Sequence, residues 1–226
     1  GTQNVILTVN TGSSSIKCAV YDFADLSLLY QCSFESIGTK KASFVTPEIS
    51  VHHSQATHEY ALHIVSEDLA LFCQNKSVSC VSYRVVHGGP DIRKHSLIDE
   101  HVLDAIKQHS YLNPSHAPAI LASIDHFKKA FPKSTHVACF DTAFFNDMPK
   151  IATLTSLPHE HYEKGLRRYG FHGLSYTYLQ SRLHELNKDT KEQKVIFAHL
   201  GSGASACAVD SGKVIDTTMG FSPNSG

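Results

Sequence analysis

The chain has no excess of charge of either sign: 20 basic against 21 acidic residues leave a formal net charge of −1. That balance gives no electrostatic footprint for nucleic acid or an anionic membrane, and neither is an expected partner. No apolar run reaches the roughly 18 residues that a membrane-spanning helix needs, and the first residues lack the charged and apolar regions of a secretory signal. The cysteines, Cys18, Cys32, Cys73, Cys80, Cys139 and Cys207, form no C-x-x-C pair. Most lie in apolar surroundings, which suits reduced core thiols of a cytoplasmic protein better than a disulfide framework. Sixteen histidines raise the question of zinc. The tightest groupings, His52-His53 and His159-x-His161, have neither the H-E-x-x-H spacing nor a cysteine pair to complete a site, so most histidines are expected at the surface or in caps. A P-loop and a G-x-G-x-x-G helix opening are both absent, so any phosphate site must be built in another way. The start at Gly1 is read as a trimmed or tag-cleaved end.

What is present fits an ordinary globular protein. The 226 residues, 42% hydrophobic and 18% charged, are enough for one large domain or two modest ones with a substantial core. Val5 to Val9 and Ile16 to Tyr21 read as strands joined by the polar turn Asn10 to Ser15, and Leu28 to Phe34 as a third strand. Leu62, Val65, Leu69 and Phe72 have helical spacing, which predicts a helix over about Thr57 to Gln74. A strand from Val78 to Val86 runs into Gly88-Gly89-Pro90, helices follow over Asp99 to His109 and Ser115 to Phe131, and a strand from His136 to Phe140 ends at Asp141. Alternation of this kind indicates an α/β protein with a mixed sheet. A boundary is expected near Asp147 to Lys150, giving domains 1–148 and 149–226. The second would hold a strand Ile151 to Thr155, a loop Lys164 to Gly173, a helix from about Ser175 to Leu186 and a strand Val195 to Ala198.

An internal similarity says more than these assignments. Val9 to Val20 aligns without gaps to Ala198 to Val209, with Gly12/Gly201, Ser13/Ser202, Cys18/Cys207, Ala19/Ala208 and Val20/Val209 identical. Each copy sets a glycine- and serine-rich turn between two apolar strands. Chance between two hairpins is one explanation; a duplicated fold with two phosphate-facing turns is the other, since backbone N–H groups of such a turn can converge on an anion. Lys17 is either a snorkelling edge residue or a charge directed at phosphate. Asn10 can cap the turn or hold a metal-bound water. Arg84, ending an apolar strand, needs a partner, and its planar fork suits an internal carboxylate or a bound carboxylate or phosphate. Asp141 stands at the carboxyl end of a strand, where α/β proteins collect ligands, or simply caps a helix. Arg167-Arg168-Tyr169-Gly170-Phe171-His172-Gly173 is either a loop that closes on phosphoryl oxygens or a surface loop without a role.

The ordered segments Asn10 to Lys17, Arg84 to Gly89, Phe140 to Phe144, Arg167 to Gly173, His199 to Ser205 and Asp216 to Phe221 closely resemble the signatures of the acetate kinase (acetokinase) family. The resemblance spans nearly the whole chain. It implies an actin-like (ribonuclease H-like) duplicated α/β fold, shared with sugar kinases, with the first domain complete and the second partial. It implies ATP or ADP as co-substrate, Mg2+ (or Mn2+) as cofactor, and reversible phosphoryl transfer between ATP and acetate. In that reading Asn10 helps hold the metal, Lys17 contacts the nucleotide side, Arg84 receives the carboxylate, Asp141 is the catalytic carboxylate and His172 stabilises the transition state. His199, Leu200, Gly201, Ser202 and Gly203 form the second nucleotide loop, and His116, in a locally rearranged segment, stands for the family's active-site histidine. Such a mechanism rests on positioning and charge neutralisation.

Phe145 and the stretch Ser222 to Gly226 depart from the family pattern. Family members are longer, so the resemblance implies an amino-terminal portion that is inactive alone, with the family's homodimer contact falling largely outside it. A propionate or butyrate kinase shares the motifs, and a non-catalytic nucleotide- or carboxylate-binding fragment is the reading of a different class. A sugar kinase is disfavoured by the Arg84 and His172 segments.

Overall fold

A computed structural model of the chain describes residues 1–92, 94–145, 194–200, 204–210 and 213–217. The first five strands are β1 (Gln3–Thr11), β2 (Ile16–Asp22), β3 (Leu28–Glu35), β4 (Ser43–Val45) and β5 (Ser50–His52). Helix α1 (His58–Phe72) leads to β6 (Lys76–Val85) and β7 (Ser96–Leu97); α2 (Glu100–Gln108) and α3 (Ala117–Ala130) precede β8 (Thr135–Phe140). A separate run holds β9 (Lys194–Leu200), β10 (Ala204–Asp210) and β11 (Lys213–Thr217).

Strands β1 to β8 form one mixed sheet in the order β5-β4-β3-β2-β1-β6-β8-β7. The first five make an antiparallel meander, and β6 joins β1 in parallel through a crossover containing α1. Alternation along the strands decides which face is covered. Leu7 and Val9, Cys18 and Val20, Phe34, Val81 and Tyr83, and Ala138 are buried on one face. Helices α1 and α3 pack on that face with Leu62, Val65 and Leu69 from one and Ile120, Ile124 and Phe127 from the other. Phe127 meets the Tyr83 ring edge-on at 6.4 Å. The helix starts are chemically specified. Thr57 Oγ1 accepts from the Tyr60 N–H at 3.1 Å at the head of α1, and the Asp99 carboxylate accepts from the Val102 N–H at 2.9 Å ahead of α2. Pro118 sits in the first turn of α3, where a missing N–H costs nothing.

The observed elements match the expected strands and helices within a few residues, with one consequential difference. β1 runs through Thr11, because Asn10 and Thr11 pair with Lys17 and Ile16, so the connecting turn is only residues 12–15. The short strands β4, β5 and β7 were not expected.

The chain divides into two compact units. One comprises Gly1–Arg84, Ser96–Leu103 and Pro114–Ala138; the other comprises Val85–His95, Asp104–Asn113 and Cys139–Gly226. The expected boundary at Asp147 to Lys150, the strand Ile151 to Thr155, the loop Lys164 to Gly173 and the helix Ser175 to Leu186 lie outside the described residues.

In the second unit, β9, β10 and β11 form an antiparallel sheet in the order β11-β10-β9, which repeats the β3-β2-β1 arrangement of the first. The repeat found in the sequence is therefore a repeat of hairpin and following strand. Its register is not conserved. Thr11 pairs with Ile16, whereas Leu200, its aligned counterpart, pairs with Ala204 rather than with Ser205. A three-residue connection replaces the four-residue turn 12–15, and the pairing slips by one.

Candidate functional site

In the first unit the register of three strands brings expected site residues to one place. Asn10 on β1 faces Lys17 on β2 directly, and the parallel pairing Val9↔Tyr83 sets Arg84 beside Asn10. The Arg84 guanidinium donates from Nη1 to Asn10 Oδ1 at 3.4 Å. Their neighbours Val9, Cys18 and Tyr83 point into the helix-covered core, so alternation puts Asn10, Lys17 and Arg84 on the face opposite α1 and α3. Asn10 and Lys17 are exposed and Arg84 half-buried. On this face Thr8, Asn10, Lys17, Gln31, Ser33 and Glu35 line an open concavity of about 420 Å³.

The turn beside them is an anion-binding candidate of a particular kind. The Gly12 N–H donates to the Ser15 carbonyl at 2.9 Å, closing the hairpin, so that amide is spent inside the turn. Gly12 does not adopt positive φ; among the described glycines only Gly38 and Gly89 do. The amides of Ser13, Ser14 and Ser15 donate to no group among the described residues, and Ser13 and Ser14 are exposed. These three amides and their hydroxyls, rather than a glycine nest, are what the turn offers an anion. Behind the turn, Thr11 is buried and its Oγ1 lies 3.0 Å from Ser123 Oγ on α3.

The second unit holds Asp141, 1% exposed, directly after β8; its N–H donates to the Val85 carbonyl at 3.0 Å. The segment after Val85 bends back on itself. His87 is buried, and its Nδ1 accepts from the Gly89 N–H at 2.8 Å. Gly89 has φ +81°, and its Cα lies against the His109 imidazole; a Cβ at Gly88 would lie 2.6 Å from Phe140 Cε1. His109 is held in turn by its Nδ1–H donating to Ala105 O at 2.9 Å. Phe140 N–H donates to His95 Nδ1 at 3.1 Å. The Gly88-Gly89 pair is thus a steric requirement of this turn.

His116 flanks the start of α3 in the first unit, half-buried, with Nδ1 3.0 Å from Ser115 Oγ. His199 and Leu200 end β9. His172, Arg167, Arg168, Gly201, Ser202 and Gly203 lie outside the described residues.

The thiols read as expected. Cys18, Cys32 and Cys73 are buried and unpaired; burial pushes all three up, Cys73 to about 11, so they stay protonated at neutral pH. Most described histidines are exposed or half-buried, as expected; His87 and His136 are the buried exceptions among them. The Thr11–Ser123 link and the His109 buttress had no signal in the sequence, since each joins residues far apart in the chain with no local spacing to betray them.

The mixed α/β fold is that of two solved kinases. The structure superposes on a propionate kinase from Francisella tularensis with a TM-score of 0.89, at 33% identity, covering 97% of this chain and 58% of that one. An acetate kinase of Porphyromonas gingivalis gives 0.82 at 29% identity, with 97% and 58% covered. The acetate kinase of Thermosipho africanus is 41% identical over 98% of this chain and 57% of its own length, and that of Clostridium kluyveri 40% identical with the same coverage. The family model of the acetokinase family matches residues 5–226, and the chain belongs to that family. It spans a little over half the length of the curated relatives it matches.

Proposed function

We propose that this chain carries part of the machinery of an ATP:acetate phosphotransferase, which makes acetyl phosphate and ADP from ATP and acetate and runs in reverse. The observation that supports this best is the meeting of Asn10, Lys17 and Arg84 on the sheet face opposite α1 and α3, beside a turn whose Ser13 to Ser15 amides have no acceptor among the described residues. In the proposed roles Arg84 presents its fork to the substrate carboxylate, and Lys17 with the Ser13 to Ser15 amides receives phosphate oxygens. Asp141 and His172 act at the transferring phosphoryl group, while His199 to Gly203 supply the second nucleotide loop and His116 a further substrate contact.

Mg2+ (or Mn2+) binds few protein oxygens and completes its shell with water and phosphate, so the carbonyl oxygen of Asn10 fits such an ion. No three-residue metal cluster exists among the described residues, and none is required for that role. When bound, the ion would neutralise charge on the nucleotide phosphates. The chain's own residues orient the carboxylate oxygen for in-line attack and supply positive charge to the equatorial oxygens.

The proposal extends to domains at 1–148 and 149–226, to small-molecule partners only, to a cytoplasmic setting and to a homodimer of the full-length protein. A propionate preference is the second reading, favoured by the closer superposition and higher identity with the propionate kinase than with the Porphyromonas acetate kinase. The test is acyl phosphate trapped with hydroxylamine, using protein expressed to the natural end of its reading frame. MgATP is supplied with acetate, propionate or butyrate in turn. Rank order assigns the substrate; no product from folded protein overturns the kinase reading in favour of a binding fragment.

A further inference from the structure

We propose that Ser123 is a positioning residue for the phosphate-facing turn 12–15, acting through Thr11. The inference deepens the kinase reading and rests on its premise that this turn receives nucleotide phosphates.

Ser123 is fully buried in the middle of α3, and its hydroxyl donates to the Ala119 carbonyl at 2.8 Å. A hydroxyl has one hydrogen. With that hydrogen committed to Ala119, the 3.0 Å contact with Thr11 must run the other way, Thr11 Oγ1–H donating to Ser123 Oγ. Both groups are buried, at 0% and 2% exposure, so neither has water as an alternative partner. The bond links residues 112 apart in the chain and ties the last residue of β1 to the interior of a helix.

Helix formation does not explain the serine. Alanine is the better helix former, and serine that bonds back to the i−4 carbonyl slightly destabilises a helix. What the hydroxyl does instead is hold Thr11 toward the core. With Thr11 held inward, alternation along β1 directs Asn10 to the opposite face. The chain leaves at Gly12, whose N–H closes on Ser15, while the next three amides have no acceptor among the described residues. The turn that must meet a polyphosphate is thereby ordered before the ligand arrives, which lowers the ordering cost of binding. Asn10 and Lys17 stand one pair away from Thr11 and Ile16 on the same two strands, so a shift of Thr11 is passed to them through the ladder.

Protein expressed to its natural end tests this, with Ser123→Ala, Thr11→Val and the double variant. Thr11→Val keeps the volume and removes the donor, which guards against a variant that fails only by misfolding. We expect each single change to raise KM for MgATP about fivefold to tenfold while KM for the carboxylate stays within about twofold. The double variant should be no worse than either single one, because both act through one bond. A fall in Tm with both KM values unchanged, or additive effects in the double variant, overturns the inference and leaves the kinase reading standing. If the wild type yields no acyl phosphate, nucleotide binding by calorimetry decides. Weakening by both variants keeps the positioning role without the kinase, and no binding by the wild type ends both.

Discussion

The Tyr83 hydroxyl donates to Nδ1 of His136 at 2.7 Å inside the core, and Tyr83 directly precedes Arg84. The imidazole is fixed from its other side as well, because Nε2–H donates to the Phe131 carbonyl at 2.9 Å. A carbonyl can only accept, so the neutral ring carries its proton on Nε2 and offers Nδ1 to the tyrosine. This pair anchors β6 to β8 on the helix side of the sheet while Arg84 emerges on the other.

Acid should weaken this anchor. Burial, above all, lowers the His136 pKa from its usual 6.5; the hydrogen bond to the Phe131 carbonyl opposes it in part, and the nearby Lys128 ammonium adds a smaller lowering. Below that usual value the unfolded chain therefore binds the proton more readily than the folded one. Stability is fully present above about pH 6.5 and is lost as pH falls through the folded pKa. Burial moves His58 in the same direction, so it adds to the slope. Urea midpoints at pH 7.5 and 5.5 should show the lower value at pH 5.5, and His136→Gln should shrink the difference without removing it. An unchanged difference in that variant would show that His136 does not titrate as argued.

Two glycines that share a positive φ should respond very differently to alanine. Gly38 has φ +84° with open space around it, and Gly89 has φ +81° with the His109 ring where a Cβ would go. Gly38→Ala incurs the left-handed strain alone, about 1 kcal/mol. Gly89→Ala adds a clash with a ring tethered by its own hydrogen bond, and should cost about 3 kcal/mol or more. Equal losses in urea unfolding would mean that His109 swings away freely and does not buttress the turn.

Hydrophobic period and turn chemistry were enough to read the long elements. Leu62, Val65 and Leu69 do line the buried face of α1, and the β1–β2 hairpin follows its apolar runs. The three short strands escaped because two or three residues carry no period. The site was legible where register alone builds it, as for Asn10 opposite Lys17. It was not legible where it depends on tertiary contacts such as Thr11 with Ser123, or on which amides of the turn are already spent. The gapless repeat even misled in one respect: equal spacing of identical residues concealed a one-residue slip in pairing between the two hairpins.

Cysteine reactivity separates a redox function from a packing one. Cys18 and Cys32 sit directly opposite each other on β2 and β3, and both are about 3% exposed. Burial raises both thiols, so neither supplies thiolate at neutral pH. Iodoacetamide applied to native protein, followed by mass mapping, should leave Cys18, Cys32 and Cys73 unmodified, with label appearing there only after denaturation. Rapid native labelling at Cys18 or Cys32 would show that β2 and β3 open at little cost.

Arg84 and Lys17 should fail in different ways, although they share one sheet face. A guanidinium offers a carboxylate two parallel N–H bonds, and an ammonium offers only a point charge. Arg84→Lys should therefore raise KM for the carboxylate about tenfold or more, and Arg84→Ala further still, with KM for MgATP nearly unchanged. Lys17 lies on β2 just past the turn, on the side where phosphate oxygens would gather. Lys17→Ala should raise KM for MgATP with little effect on the carboxylate. Lys17 is exposed and makes no ion pair among the described residues, and Arg84 is only half-buried, so melting temperatures should shift by no more than a few degrees. Steady-state kinetics with each substrate varied in turn distinguishes the two patterns. Were both substitutions to raise both KM values alike, the division of this face into a carboxylate end and a phosphate end would be wrong, and the two cations would act on a single shared ligand.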